Sequence, residues 1–226
     1  MNGRTLTNAS AADRNGTDFY ATPREATIAL AYVLNLAGKR VYEPAAGKGH
    51  MVHALQELGA ILTFGDLYPD GFDFTKRTPY AGIDWIITNP PFSQSEAFIK
   101  SALAWNPRIG VALLLKSQYW HAARRYKLFH EHPPSAIMPL TWRPDFLFGS
   151  KGGALTMEVA WSVWIRGYGG PTQYVPLPKP DEIPTTGKRG GPRLLYSDAL
   201  LRAVHKDEDD ARVSNQEYAR QRKVSE

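Results

Sequence analysis

The sequence predicts an α/β fold, a doubly wound and mostly parallel sheet with helices on both faces. Three observations carry this expectation. Short apolar runs alternate with segments of helical periodicity, the pattern of parallel strands joined by crossover helices. One run, Gly110-Val111-Ala112-Leu113-Leu114-Leu115, is apolar without interruption, as a strand covered on both faces must be. Two further runs end abruptly in loops rich in chemistry. Arg40-Val41-Tyr42 stops at a glycine-rich turn, and Trp85-Ile86-Ile87-Thr88 stops at Asn89-Pro90-Pro91-Phe92. In open α/β sheets ligands bind outside the carboxyl ends of the strands, where both turns fall.

Taken in order, residues 1 to 17 read as a flexible arm of Asn, Ser, Thr, Gly and Ala without periodicity. Thr22 followed by Pro23 predicts a helix start, with Ile28, Ala31, Tyr32, Leu34 and Leu36 on its apolar face and Gly38 at its end. The strand Arg40-Val41-Tyr42 leads into Glu43-Pro44-Ala45-Ala46-Gly47-Lys48-Gly49, followed by a helix bearing Met51, Val52, Leu55 and Leu58. Glycines at 47 and 49 let backbone approach a ligand, but the third glycine of the dinucleotide fingerprint is missing. Glu43 would repel a phosphate and suits a cationic ligand. The strand Ile61-Leu62-Thr63-Phe64-Gly65 ends at Asp66, about 20 residues past the glycine turn and placed to hydrogen-bond a ribose diol. Asp73 and Phe74 suit an adenine amine and its face, or equally the packing of their own loop.

After the double proline, Ser93 is expected to cap a helix with Ala97, Ile99, Ala102 and Leu103 inward. Lys116 to Trp120 lies at the carboxyl end of the next strand, ahead of a basic helix with Arg124, Arg125 and Lys127. Ala136 to Leu140 is a weaker strand, and Met157 to Ile165 an alternating aromatic and β-branched one. Between them Trp142, Arg143 and Lys151 sit in a loop that either lies on a nucleic-acid backbone or folds onto the sheet. From Gly169 the spacing of Pro171, Pro176, Pro178, Pro180 and Pro184 reads as a stiff extended linker, followed by a charged tail. The chain thus divides into an arm (1–17), a principal domain (18–168) and a linker with tail (169–226). Residues 117–156 supply a candidate nucleic-acid-contacting helix and loop.

Composition narrows the function. Zero cysteines exclude disulfides, cysteine-based zinc sites and a thiolate nucleophile. No apolar run approaches the roughly 18 to 20 residues of a membrane span. The polar first sixteen residues lack an apolar signal core, so no export and a cytoplasmic location are expected. A formal net charge of +5 leans gently toward a polyanionic partner. His50 and His53, one turn apart without a carboxylate pair, read as ordinary helix residues, and no metal site is expected.

The turn after Thr88 either connects a strand to a helix or binds a ligand. A rigid double-proline loop offering an amide at Asn89 beside the flat ring of Phe92 suits a planar group bearing an amine, which describes a nucleobase. At this point the chain resembles the S-adenosylmethionine-dependent amino-methyltransferases. The likeness is closest to DNA adenine-N6 methyltransferases, especially the small phage and prophage type. Glu43 to Gly49 is similar to their cofactor loop and Asn89-Pro90-Pro91-Phe92 to their catalytic motif. Tyr20-Ala21-Thr22-Pro23 is similar to the N-terminal segment of the subgroup with cofactor loop before catalytic loop. The resemblance spans roughly residues 18 to 166.

It implies a Rossmann-like seven-stranded methyltransferase sheet with an antiparallel last strand, supplied by Met157 to Ile165. It implies methyl transfer from S-adenosylmethionine to the N6 amine of an adenine flipped out of duplex DNA. Asn89, Pro90, Pro91 and Phe92 would be catalytic. Asp18, Tyr20, Thr22 and Pro23 would hold the methionine end of the cofactor and Glu43 its ammonium. Pro44, Ala45, Gly47 and Gly49 would form the loop around it, with Asn89 alongside. Asp66 and Leu67 would take the ribose, and Asp73 and Phe74 the adenine moiety. Lys116, Arg124, Arg125, Trp142, Arg143 and Lys151 would contact DNA. The chain departs from the family in lacking a large target-recognition domain, which implies broad or short-motif specificity. The same tetrapeptide serves RNA guanine-N2 and adenine-N6 methylation, and a non-catalytic nucleic-acid-binding protein would retain the fold. The Tyr20-to-Pro23 segment favours DNA. Monomer and dimer both stay open.

Overall fold

The computed structural model describes residues 20–67, 71–146 and 157–181. Its seven strands are β1 (Arg40–Glu43), β2 (Ile61–Phe64), β3 (Trp85–Thr88), β4 (Gly110–Lys116), β5 (Ala136–Pro139), β6 (Val159–Ile165) and β7 (Gln173–Tyr174). They form one sheet in the order β2-β1-β3-β4-β6-β5-β7. β1 pairs in parallel with β2 and β3, β3 with β4, and β5 with β7. Only β6 is antiparallel, lying between β4 and β5. The expected mostly parallel sheet is therefore present. Its antiparallel member falls within the anticipated stretch, although it is the sixth strand in chain order rather than the last.

Side-chain alternation along the central strands divides the core between the two faces. Val41, Trp85, Ile87, Ala112 and Leu114 point to one face, against α1 (Arg24–Ile28) and α2 (His50–Glu57). Tyr42, Ile86, Val111, Leu113 and Leu115 point to the other, against α3 (Ser95–Trp105) and α4 (Tyr126–Glu131). This is the doubly covered arrangement that an uninterrupted apolar β4 requires.

Local departures from the sequence expectations have identifiable causes. The helix expected from Thr22 to Gly38 is α-helical only over Arg24–Ile28 and tightens to 3-10 over Ala29–Tyr32. The carbonyl of Ala26, which a continuing α-helix offers to residue 30, accepts the buried indole N–H of Trp161 at 2.8 Å. Pro23, not Thr22, stands at the N-cap position, because the Thr22 hydroxyl has other work in the site. α3 starts after a 3-10 turn at Phe92–Gln94, so Gln94 rather than Ser93 precedes it. Phe98 is buried in place of Ala97, and the helix ends at Asn106 in the left-handed conformation, ahead of Pro107. Arg124 and Arg125 lie in a 3-10 turn before α4 rather than inside a helix.

The segment read as a linker from Gly169 is laid along the sheet as far as it is described. Gln173, Val175 and Leu177 donate their N–H groups to the carbonyls of Ser135, Ile137 and Pro139 at 2.9, 2.9 and 2.8 Å. Val175 and Leu177 are buried. Pro176 and Pro178 occupy the alternate positions, whose N–H groups would face away from β5. Proline is admissible there on an edge strand.

Candidate functional site at the carboxyl edge

β1 ends in Glu43, and the chain turns through residues 44–49 into α2. Gly47 and Gly49 have φ of 52° and 81°. That left-handed region strains any residue with a side chain, which explains the glycine spacing seen in the sequence. The turn is braced from β2: the Gly47 N–H donates to Asp66 Oδ2 at 2.6 Å, the Ala46 N–H to the Gly65 carbonyl at 3.1 Å, and the Gly65 N–H to the Glu43 carbonyl at 3.0 Å.

Glu43 is only 1% exposed. Its Oε1 accepts from the Ala45 N–H at 2.9 Å and from the Thr88 hydroxyl at 2.6 Å. Its Oε2 is buried and accepts no hydrogen bond among the described residues. Burial pushes the carboxyl up to about 8, against the opposing hydrogen bonds from Thr88 and Ala45. A buried carboxyl oxygen without a partner is costly and marks a place where a donor or cation is wanted.

One strand over, β3 delivers Asn89 directly after Thr88. Asn89 donates from Nδ2 to Thr22 Oγ1 at 3.0 Å and to the Tyr20 carbonyl at 3.4 Å. A carbonyl can only accept, so these partners set which way the amide faces. Oδ1 is thereby left as an acceptor, shielded from solvent and without a hydrogen bond among the described residues. Phe92 is half-buried. Its ring lies 5.5 Å from that of Tyr20 and 4.2 Å from Lys116 Nζ at the end of β4. The anchoring of α1 by Trp161 carries Tyr20 and Thr22 to this position.

The structure brings Tyr20, Thr22, Asn89, Phe92 and Lys116 together, and likewise Glu43, Ala45, Gly47 and Asp66. Pro23 and Pro44 are buried beside these clusters, and Leu67 lies exposed past Asp66. Asp73 is occupied locally: Oδ1 accepts from the Thr75 N–H at 3.0 Å and its hydroxyl at 2.7 Å, while Oδ2 pairs with Lys76 at 2.9 Å. These interactions hold its carboxyl below the usual range. The Phe74 ring is core, packed on Tyr42, Phe98 and Trp105.

The basic candidates separate similarly. Arg125 donates to the Tyr119 carbonyl at 2.7 Å and covers the Tyr119 ring at 3.6 Å. Arg143 pairs with Glu158 at 2.5 Å across a half-exposed surface. The Trp142 ring packs on the core, whereas Arg124 is exposed. Asp18 and Lys151 lie outside the described residues. Sequence reading missed Thr88 as the partner of Glu43. The available signal was a lone hydroxyl closing an otherwise apolar strand.

No family model matches the chain, and no curated protein matches it. Solved structures do. The protein PH1948 from Pyrococcus horikoshii, described provisionally as an RNA methyltransferase, superposes with a TM-score of 0.53 at 17% identity, covering 71% of this chain and 91% of that one. The 23S rRNA methyltransferase ErmE superposes with a TM-score of 0.50 at 12% identity, covering 66% and 70%. The fold is thus a Rossmann-like sheet shared with methyltransferases, the architecture expected from the sequence.

Proposed function

We propose that this protein transfers a methyl group from S-adenosylmethionine to an exocyclic amine of a nucleobase, specifically the N6 amine of adenine in DNA. The observation that carries the reading is the Asn89 amide. With Nδ2 engaged by Thr22 and Tyr20, its Oδ1 has no hydrogen-bond partner among the described residues and lies on a rigid loop beside an aromatic ring.

The amine of adenine is a poor nucleophile because its lone pair is delocalised into the ring. Asn89 Oδ1 and the Pro90 carbonyl accept hydrogen bonds from its two N–H groups, and one of those protons passes to solvent once the nitrogen has taken the methyl group. They favour a pyramidal nitrogen with a localised lone pair and stabilise the positive charge that develops during transfer. Phe92 stacks on the base and aligns it, so that much of the rate comes from positioning. A base inside a duplex cannot reach this loop and is flipped out of the stack.

The residues of the first loop fit the cofactor. Glu43 Oε2 is a buried acceptor suited to its ammonium, and Gly47 and Gly49 keep the backbone beside it free of side chains. When bound, the cofactor supplies an electrophilic methyl group on a sulfonium. Asp66 braces Gly47 through Oδ2 and takes the ribose, with Leu67 beside it. Asp73 and Phe74, on the loop beyond β2, take the adenine moiety.

A second reading, methylation of RNA, is favoured by one observation: both structures named above are described as RNA methyltransferases. The same amide and ring serve a guanine N2 amine equally well. The test is transfer of labelled methyl from S-adenosylmethionine to unmethylated plasmid DNA and to RNA, with the modified nucleoside identified by mass spectrometry. N6-methyladenine in DNA is the expected product. Label in RNA alone would replace the DNA reading, and label in neither, despite cofactor binding, would overturn both.

A further inference from the structure

The most exposed aromatic surface beside the site is not part of the machinery described so far. Tyr126, the first residue of α4, is 72% exposed, and its ring stacks on His130 one turn later, with centroids 5.5 Å apart and planes at 14°. A lone exposed tyrosine is common, but one held flat by a second ring has lost much of its rotational freedom in advance. Its neighbours are cationic: Arg124, Arg125 and Lys127 surround it in sequence, and Lys127 is exposed beside its partner Glu131. In the same segment Trp120 stacks on Phe129 at 4.0 Å and Arg125 on Tyr119, so the turn and helix that carry Tyr126 are packed.

Its position follows from the chain beyond β4: Lys116 Nζ lies 4.2 Å from the Phe92 ring, and three residues on, the Tyr119 ring and carbonyl hold Arg125, the residue before Tyr126. The same turn acts electrostatically on α3, where the Glu96 carboxyl is held below the usual range chiefly by Lys100, with Arg124 and Arg125 contributing. The basic turn before Tyr126 is thus joined, through Tyr119 and Lys116, to the edge that carries Phe92. A flat, pre-oriented ring among arginines and lysine suits one class of partner, a nucleic-acid strand whose phosphates meet the cations while a base meets the ring.

We infer that Tyr126, backed by His130, is a stacking platform for a base of the substrate strand flanking the methylated one. This deepens the proposed function and rests on it for the identity of the strand. A base can reach the platform only when unstacked from its neighbour, so the platform favours single-stranded or locally opened substrate.

The test measures binding of the full chain to a fluorescent single-stranded oligonucleotide by anisotropy across a salt series, for wild type, Tyr126→Ala and Tyr126→Phe. Base–aromatic stacking sets the expected loss for Tyr126→Ala at roughly five- to a hundredfold in affinity. The slope of log affinity against log salt should stay unchanged, because no phosphate contact is removed. Tyr126→Phe should bind within about twofold of wild type, and thermal unfolding of both variants should match wild type, since the side chain is exposed. Tyr126→Ala binding like wild type, or losing affinity only with a shallower salt slope, would overturn the platform. So would a wild-type chain that binds no oligonucleotide. Failure of the functional reading looks different: wild type would bind the strand and Tyr126→Ala would not, yet no methyl would be transferred.

Discussion

The hydroxyl of Thr22 offers the sharpest test of how the Asn89 amide, proposed as catalytic, is held. Thr22→Val keeps the shape and the β-branch of a nearly buried side chain but removes the acceptor 3.0 Å from Asn89 Nδ2. What is left to Nδ2 is the Tyr20 carbonyl at 3.4 Å, near the limit of a useful hydrogen bond. Losing a net contribution of about 1 kcal/mol changes the preference between the two amide orientations about fivefold. A displaced amide costs further rate, with small misplacements of reacting groups worth up to about a hundredfold. Turnover of Thr22→Val should therefore fall between about five- and a hundredfold. Thr22→Ser, which restores the acceptor, should recover most of it. Because the hydroxyl points at Asn89, the dissociation constant for S-adenosylmethionine, measured by calorimetry, should change by less than about twofold. Turnover of Thr22→Val within twofold of wild type would refute the reasoning. A parallel loss of cofactor affinity would return Thr22 to the cofactor-binding role that the family resemblance implies.

Asn89→Ala should leave cofactor affinity nearly intact while single-turnover methyl transfer drops about a hundred- to a thousandfold, the scale of removing one transition-state hydrogen bond; near-normal transfer would remove the mechanism. Glu43 gives a pH signature. Its folded value near 8 lies above that of an unfolded glutamate, so the folded chain binds the extra proton between about pH 4.5 and 8. Its contribution to stability is complete below the unfolded value and lost as pH rises through the folded one. Stability of the cofactor-free protein against urea should fall across that window, by at most about 1.4 kcal/mol per pH unit for one proton, and Glu43→Gln should flatten the trend. A profile identical in both proteins would show that Glu43 does not titrate there. Gly110→Ala places a methyl 2.4 Å from the Trp164 carbonyl and 2.8 Å from the Trp85 ring, at the seam between β4 and β6. It should lower the urea midpoint by the equivalent of about 1 to 3 kcal/mol, and an unchanged midpoint would contradict the packing described.

The central sheet was legible because burial on both faces demands uninterrupted apolar strands. Gly110 to Leu115 and Trp85 to Thr88 could hardly be anything else. Glycines 47 and 49 were legible for a backbone reason, their positive φ. What the sequence hid depended on partners distant along the chain. The shortened α1 reflects the indole of Trp161, 135 positions from Ala26. β7 was hidden because two prolines stand where an edge strand has no use for its N–H. Single residues near the site were hardest to read. The burial of the Phe74 ring and the cap that Asp73 gives its own turn depend on neighbours the local sequence does not specify. Thr22, which resembles a helix cap, serves an amide 67 positions later.

The Glu43 carboxyl touches both loops at once. One oxygen clasps the amide at the root of the glycine turn and the hydroxyl of Thr88, and Asn89 is the very next residue. Whatever shifts this carboxyl on one side is felt as a change in tension on the other. Cofactor and base would then not be independent guests. If the first tightens the clasp and raises affinity for the second, the second must raise affinity for the first by the same factor. A side chain that neither attacks nor leaves would thus make the hold on each partner depend on whether the other is present.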